Sequence, residues 1–392
     1  MRESTLMEKV TRRTISFSSS FIFFIFSSTI IFLAGKSSAK FSHDGDNNVT
    51  ALFLFGDSFL DAGNNNYINT TTLDQANFPP YGQTFFGLPT GRFSDGRLIS
   101  DCLLYTSRSE YANLPLIPPF LEPGNSQKKL YGVNFASAGA GALVETFQGS
   151  VINLRTQLDH YKEVERLWRT KFGKEESKKR ISRAVYLISI GSNDYSSLFL
   201  TNQSLPISMS QHVDIVIGNM TTFIHEIYKI GGRKFGFLNV PDLGCFPALR
   251  ILQPNNDSCL RDASRLANMH NRALANLLFK MQRQVKGFKF SLFDMNKSLR
   301  LRMQHPSKFG FKEGEEACCG TGKWRGVFSC GGKRIVKEYK LCENPKDYIF
   351  WDSLHLTQNT YNQFANLIWN GGHKSDSLVV GPYNINKLFQ IP

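Results

Sequence analysis

No two cysteines in this 392-residue chain stand in a C-x-x-C spacing, although seven are present, which argues against a zinc or thiol-redox centre. There is no G-x-S-x-G elbow, which disfavours the ordinary α/β-hydrolase arrangement. Gly320-Thr321-Gly322 with Gly326 misses the G-x-G-x-x-G spacing and does not open a helix after a strand, so dinucleotide binding is disfavoured as well. Internal repeats are lacking, as is any linker that would divide the chain into two domains. Basic residues are not interleaved with aromatics in the manner of a nucleic-acid surface. Acidic residues are in short supply, 32 Asp and Glu against 46 Lys and Arg, for a formal charge of +14. Disorder is excluded by what is abundant: 33 Phe and 13 Tyr are too much aromatic surface to leave in water.

Only one apolar run approaches membrane length, and it lies at the N-terminus. Arg2, Lys9, Arg12 and Arg13 precede Phe21–Ala34, and the small residues Ser37, Ser38 and Ala39 follow. That order is the n-region, h-region and cleavage site of a secretory signal, and the run is short for a bilayer span. The expectation is a signal peptide over 1–39, a single domain over 40–392, and no transmembrane anchor once the signal is cleaved. Export agrees with six Asn-X-Ser/Thr sequons, at Asn48, Asn69, Asn202, Asn219, Asn256 and Asn296, each a glycan acceptor if exposed. It agrees too with the cysteines. Cys245, Cys259, Cys318, Cys319, Cys330 and Cys342 can form three disulfides in an oxidising compartment, with Cys245–Cys259 the economical first pairing and the rest left open. Cys102 is left over as a buried thiol. The basic balance reads as a solvated, soluble surface, with association to anionic polysaccharide as the sharper alternative.

Short uninterrupted apolar runs recur at Ala51–Phe55, Val133–Phe135, Val185–Ile190, Phe235–Val240 and Phe288–Phe293. Strands of that kind belong in a sheet covered on both faces. Helical faces lie between them. Val213, Val216, Ile217, Met220, Ile224 and Ile227 form one, ended by Gly231-Gly232; Leu266, Met269, Ala273, Leu277, Met281 and Val285 form another. Tyr361, Phe364, Ala365 and Ile368 predict a last helix. Strand and helix alternate, which predicts a parallel α/β sheet. The Asn-, Pro- and Gly-rich segment 64–128 reads as ordered loop over the C-terminal strand ends, where such proteins build binding sites.

A serine hydroxyl needs a base, a carboxylate to orient that base, and donors for the developing oxyanion. Ser58 follows a buried strand directly. Asp352-Ser353-Leu354-His355 sets a carboxylate and an imidazole three residues apart, and no other of the eight histidines has an Asp at that spacing. Gly139 and Asn193 follow two further strands and offer a backbone N–H and a side-chain amide. Each motif is weak alone, since Gly-Asp-Ser is an ordinary turn and D-x-x-H an ordinary helix start. Their joint order carries the reading. His270, inside a helical pattern, reads as a packed or partly exposed residue rather than a ligand.

Phe55–Asn66, Val133–Gly141, Ile190–Tyr195 and Phe350–Thr357 resemble the four signature blocks of plant GDSL-type esterase/lipases, members of the SGNH hydrolases. Thr90–Arg97, Gly236–Cys245 and Ala317–Gly322 extend the resemblance over essentially all of 50–372. It implies a three-layer α/β/α, flavodoxin-like fold with a five-stranded parallel sheet. It implies Ser58 as nucleophile, His355 as base and Asp352 as its partner, with Ser58 N–H, Gly139 and Asn193 as oxyanion hole. It further implies hydrolysis of carboxylic esters in lipids or acylated wall components, outside the cell, with no metal or organic cofactor. Acyl transfer by the same acyl-enzyme and a catalytically silent binding or signalling protein are the alternatives. Three departures stand out: Leu356 where the family usually has Pro, which predicts a looser loop; Ala138 in place of a common Gly; and extra length at 102–109.

Overall fold

The computed structural model describes residues 50–392 apart from 106–114, 125–127, 203–205, 254–257 and 372–378. The signal reading over 1–39, the sequons at Asn48 and Asn256, and residues 106–109 of the extra length at 102–109 lie outside the described residues. Five of the predicted runs form strands: β1 (Leu52–Gly56), β2 (Gly132–Asn134), β3 (Val185–Ser189), β4 (Lys234–Leu238) and β5 (Lys289–Phe293). All five pair in parallel, in the order β5-β4-β3-β1-β2.

The sheet has one strand more than the expectation. After β5 it continues into the edge strand Val380–Pro382, which pairs antiparallel with β5. A three-residue Val-Gly-Pro segment carries no apolar alternation. Pro is tolerated there because an edge strand leaves one side of its backbone unpaired.

Aromatic contacts identify the layers. Phe53 and Phe55 of β1 turn toward Tyr161 and Trp168 of α2 (Leu154–Phe172) and Phe223 of α5 (Met209–Ile230). Phe290 of β5 meets Phe279 of α7 (Arg261–Gln284) on the same face. The opposite parity points the other way: Phe293 packs on Phe364 of α9 (Gln358–Asn370). With α1 (Ile99–Tyr105) against α9 and α10 (Ile385–Gln390) against β4 and β5, that face is covered too. The result is α/β/α. Strands buried on both sides explain why the runs show no polar alternation.

The remaining helices are α3 (Lys174–Arg183), α4 (Ser192–Leu200), α6 (Pro247–Arg250) and α8 (Met295–Gln304). The described residues fall in one compact unit, Asn47–Pro392. Since β1 pairs with β2 on one side and β3 on the other, strand order reverses at β1. The crevice beyond its C-terminal end is the place such sheets bind ligands.

All six expected cysteines are bridged, as Cys245–Cys259, Cys318–Cys342 and Cys319–Cys330. The first is the economical pairing; the other two interlock the irregular segment 318–342. Cys102 lies in α1 as a buried thiol, which burial pushes up to about 12.

Candidate active site

β1 delivers Ser58 to the crevice by a turn that needs glycine. Gly56 has φ +145°, and a Cβ there would lie 1.9 Å from the Ser189 carbonyl oxygen of β3. The fully buried amide of Gln157, from α2, grips Gly56 on both sides: its Oε1 accepts from the Gly56 N–H at 2.9 Å and its Nε2 donates to the Gly56 carbonyl at 2.8 Å. The chain then turns, with Leu60 and Asp61 N–H both donating to the Asp57 carbonyl. Asp57 Oδ1 accepts from the Phe59 N–H at 3.1 Å, while Oδ2 is buried without a partner. Burial, assisted by the nearby Asp194 charge, outweighs that hydrogen bond and pushes the Asp57 carboxyl up to about 8.

His355 arrives from the other end of the chain. Strand β9 (Tyr348–Phe350; the strands between β5 and it are β6 Glu313–Ala317, β7 Cys319–Gly320 and β8 Lys340–Leu341) runs into a tight loop before α9. Trp351 N–H donates to the His355 carbonyl at 2.8 Å, and Thr357 N–H to the Ile349 carbonyl at 3.0 Å. Leu356 is fully buried in that loop, where it fills apolar space, and the two backbone bonds close the turn. Thr357 caps α9, and Asp95 Oδ1 accepts from the Gln358 N–H at 2.7 Å. The 90–97 block thus clamps the helix that follows His355.

The three side chains meet in a line. His355 Nε2 is 2.8 Å from Ser58 Oγ, and His355 Nδ1 is 2.8 Å from Asp352 Oδ1. Asp352 Oδ1 also accepts from the N–H groups of Leu354 and His355, at 2.9 and 2.8 Å, and its Oδ2 accepts from Tyr81 Oη at 2.6 Å. Desolvation alone would raise the Asp352 carboxyl. The imidazole and these hydrogen bonds outweigh it and hold the group down to about 2. Phe93 lies against the imidazole, ring centroids 4.5 Å apart, and limits its rotation.

Gly139 and Asn193 border the same crevice. Gly139 has φ +80°, and a Cβ would lie 2.6 Å from Asp74 Oδ1, so the loop can approach only as glycine. Asn193, in the first turn of α4, donates one amide hydrogen to the Ala140 carbonyl at 2.9 Å, which leaves the second for a ligand. Side chains that sequence reasoning had not assigned fix this loop. Asp61 Oδ2 accepts from the Ala138 N–H, Asn64 donates to the carbonyls of Asn134 and Ala136, and Asn65 to those of Asp74 and Ala138. From α4, fully buried Asp194 accepts from Ala142 N–H, Leu143 N–H and Thr146 Oγ1. Their signal lay in the same blocks as Ser58 and Asn193, as polar residues flanking buried strands.

Ser58, Gly139, Asn193 and His355 all line one cavity of about 300 Å³. Leu73, Phe93, Phe147, Leu200, Phe328 and Leu354 give it an apolar wall, and Asp74 contributes one carboxylate. A larger, open groove of about 890 Å³ lies along α7, lined by Arg261, Arg265 and Arg272 among others, and includes none of the four. His270 is packed, as expected: it is fully buried, bonds Tyr195 Oη through Nδ1 at 2.8 Å, and burial depresses it to about 3. Among the described residues no group of three or more His, Cys, Asp or Glu is placed to hold a metal, and no helix is long and apolar enough to cross a membrane.

The sequons divide. Asn69, Asn202 and Asn219 are exposed. Asn296 is 6% exposed at the start of α8, its amide donating to the Val240 carbonyl and its N–H to Asn239 Oδ1.

A family model described as GDSL-like lipase/acylhydrolase matches residues 52–368. The chain is 93% identical to GDSL esterase/lipase 5 of Arabidopsis thaliana over the whole length of both. It is 51% identical to GDSL esterase/lipase 1 of the same plant, over 93% of this chain and 96% of that one. It is 46% identical to a GDSL lipase of Tanacetum cinerariifolium, over 87% and 88%.

Proposed function

The chain belongs to the GDSL-like lipase/acylhydrolase family and is a carboxylic ester hydrolase, and from that premise we propose that it cleaves esters through Ser58, His355 and Asp352. One observation carries the assignment: the unbroken line from Ser58 Oγ to His355 Nε2 to Asp352 Oδ1, each link 2.8 Å. Ser58 Oγ attacks the ester carbon while His355 Nε2 takes its proton. Asp352, kept ionised, holds the imidazole tautomer with its proton on Nδ1 and balances the imidazolium. The oxyanion is met by the N–H groups of Ser58 and Gly139 and the free amide hydrogen of Asn193. The alcohol leaves with the proton from His355; water, activated in the same way, then releases the acid.

The apolar wall of the cavity suits an acyl chain, with the alcohol moiety left toward solvent. Export, removal of 1–39, and glycans at Asn69, Asn202 and Asn219 belong to the same proposal, supported by exposed sequons and three disulfides. The site is then outside the cell, facing lipid or acylated wall esters. Basic side chains such as those along α7 offer an electrostatic hold on anionic polysaccharide. The test is hydrolysis of a short-chain chromogenic ester by the mature protein. Ser58→Ala is expected to abolish turnover, and Asn193→Ala to lower kcat roughly 100-fold, the usual cost of one oxyanion donor. Undiminished hydrolysis by Ser58→Ala would overturn the assignment.

A further inference from the structure

Two hydrogen bonds from Asp352, beyond Tyr81, stands an arginine that the surrounding sequence gives no reason to bury. Residues 335–340 are exposed, Ile335 to 82%, as are Gly332 and Lys333. Arg334 alone among them turns inward, to 0% exposure. A loop folded only for stability would bury Ile335 and leave the guanidinium in water.

Among the described residues Arg334 makes no ion pair, yet it is not idle. One guanidinium nitrogen donates to the Thr72 carbonyl, and Nη2 donates to Tyr81 Oη at 2.9 Å. The rings of Phe328, Phe78 and Tyr81 pack against its charge, with centroids 4.6, 5.0 and 5.6 Å away. Tyr81 is fully buried, and its hydroxyl donates its own proton to Asp352 Oδ2 at 2.6 Å. The chain Arg334 to Tyr81 to Asp352 to His355 to Ser58 is therefore continuous, and donor and acceptor roles alternate along it without conflict.

We propose that Arg334 and Tyr81 are positioning residues for the triad: Arg334 polarises the Tyr81 hydroxyl, which anchors the outer oxygen of Asp352 and so holds His355 in line with Ser58. The inference rests on the triad assignment above. Two consequences follow. The Tyr81 hydrogen bond draws charge from the carboxylate, and the guanidinium strengthens that bond by donating to the Tyr81 oxygen. And the carboxylate, gripped on both oxygens, cannot swing away from Nδ1. Neither residue lines the ester cavity, so substrate affinity is not their work.

The charged and titratable groups facing the Asp352–His355 pair are few. Besides Tyr81, through which Arg334 reaches the pair, they are Asp74, from the turn beside the cavity, and Tyr361, from α9, which also feels Asp57 and Asp95.

The experiment compares Tyr81→Phe, Arg334→Met and their double variant with wild type and Ser58→Ala, on a short-chain chromogenic ester from pH 5 to 9. Both single variants are expected to lower kcat about tenfold, the scale of a modest loss of alignment, with KM little changed. The acidic limb of kcat/KM is expected to move up by about half a pH unit or more, since the imidazolium gains stability. Because Arg334 acts through Tyr81, the double variant should lose no more than the worse single one. Tyr81→Phe removes one oxygen and keeps the ring, so it carries the test if Arg334→Met does not fold. A Tyr81→Phe enzyme with wild-type kcat and acidic limb, or losses that multiply in the double variant, would overturn the inference. Activity persisting in Ser58→Ala would instead strike the triad itself.

Discussion

Asp57 sits beside Ser58 with one oxygen unpartnered, and burial, assisted by the Asp194 charge, makes ionising it costly. Its carboxyl is raised from 3.8 to about 8 by burial, so between those values the folded chain keeps a proton that the unfolded chain has lost. The sign follows: this group's contribution to stability falls as pH rises through that window. Asp352 behaves oppositely, since its depressed carboxyl contributes stability above 3.8 that is lost as pH falls toward about 2. Asp57→Asn keeps the acceptor for the Phe59 N–H and abolishes the titration. The expected outcome is a melting temperature that declines less between pH 4 and 8 than in wild type; an unchanged slope would contradict the burial argument. At this scale Ser58, Asp352 and His355 were legible because strand-end and D-x-x-H patterns are local. Tyr81 and Arg334 were not. Their links span 271 and 253 positions, and nothing in Pro-Pro-Tyr-Gly or Gly-Gly-Lys-Arg separates an inward residue from an exposed basic loop.

Elements came through in proportion to how continuously they are buried. The five parallel strands announced themselves because both faces are covered, and α5 and α7 because one stripe faces the sheet. The antiparallel Val380–Pro382 edge is too short to carry a period, and only its pairing with β5 makes it a strand. Cys318, Cys319, Cys330 and Cys342 were legible as disulfide formers, but the segment they bridge was not legible as part of the site. Its bridge Cys319–Cys330 lies four residues before Arg334, and Gly331 accepts the Arg334 N–H at 3.3 Å. Replacing both cysteines of that bridge with serine is expected to cost about 2–4 kcal/mol of stability. Well below the lowered melting temperature, kcat should fall in the same way as in Arg334→Met. A bridge-free protein that melts lower but keeps full kcat would show that the loop needs no disulfide to deliver its arginine.

On the scale of the whole molecule, the chain's two ends are brought to one crevice. Ser58 leaves β1 near the start of the described residues and His355 precedes α9 near their end, 297 positions apart, and they meet because β1 is where strand order reverses. The loop segments between them supply the cavity wall and the clamps on Ala138 and α9. In the described parts of 64–98, polar side chains such as Asn64, Asn65 and Asp95 bond backbone groups of the loops that carry Ala138 and His355 rather than water. The order of blocks foretold that convergence, whereas cavity shape, and hence which ester fits, depends on packing of residues far apart in sequence. The central claim is that Ser58 is the nucleophile of this constellation. Its most direct measurement is peptide mass analysis of the active mature protein after stoichiometric inactivation by a fluorophosphonate. The account predicts one adduct, on the peptide carrying Ser58, absent in Ser58→Ala; an inactivating adduct on any other residue would contradict it.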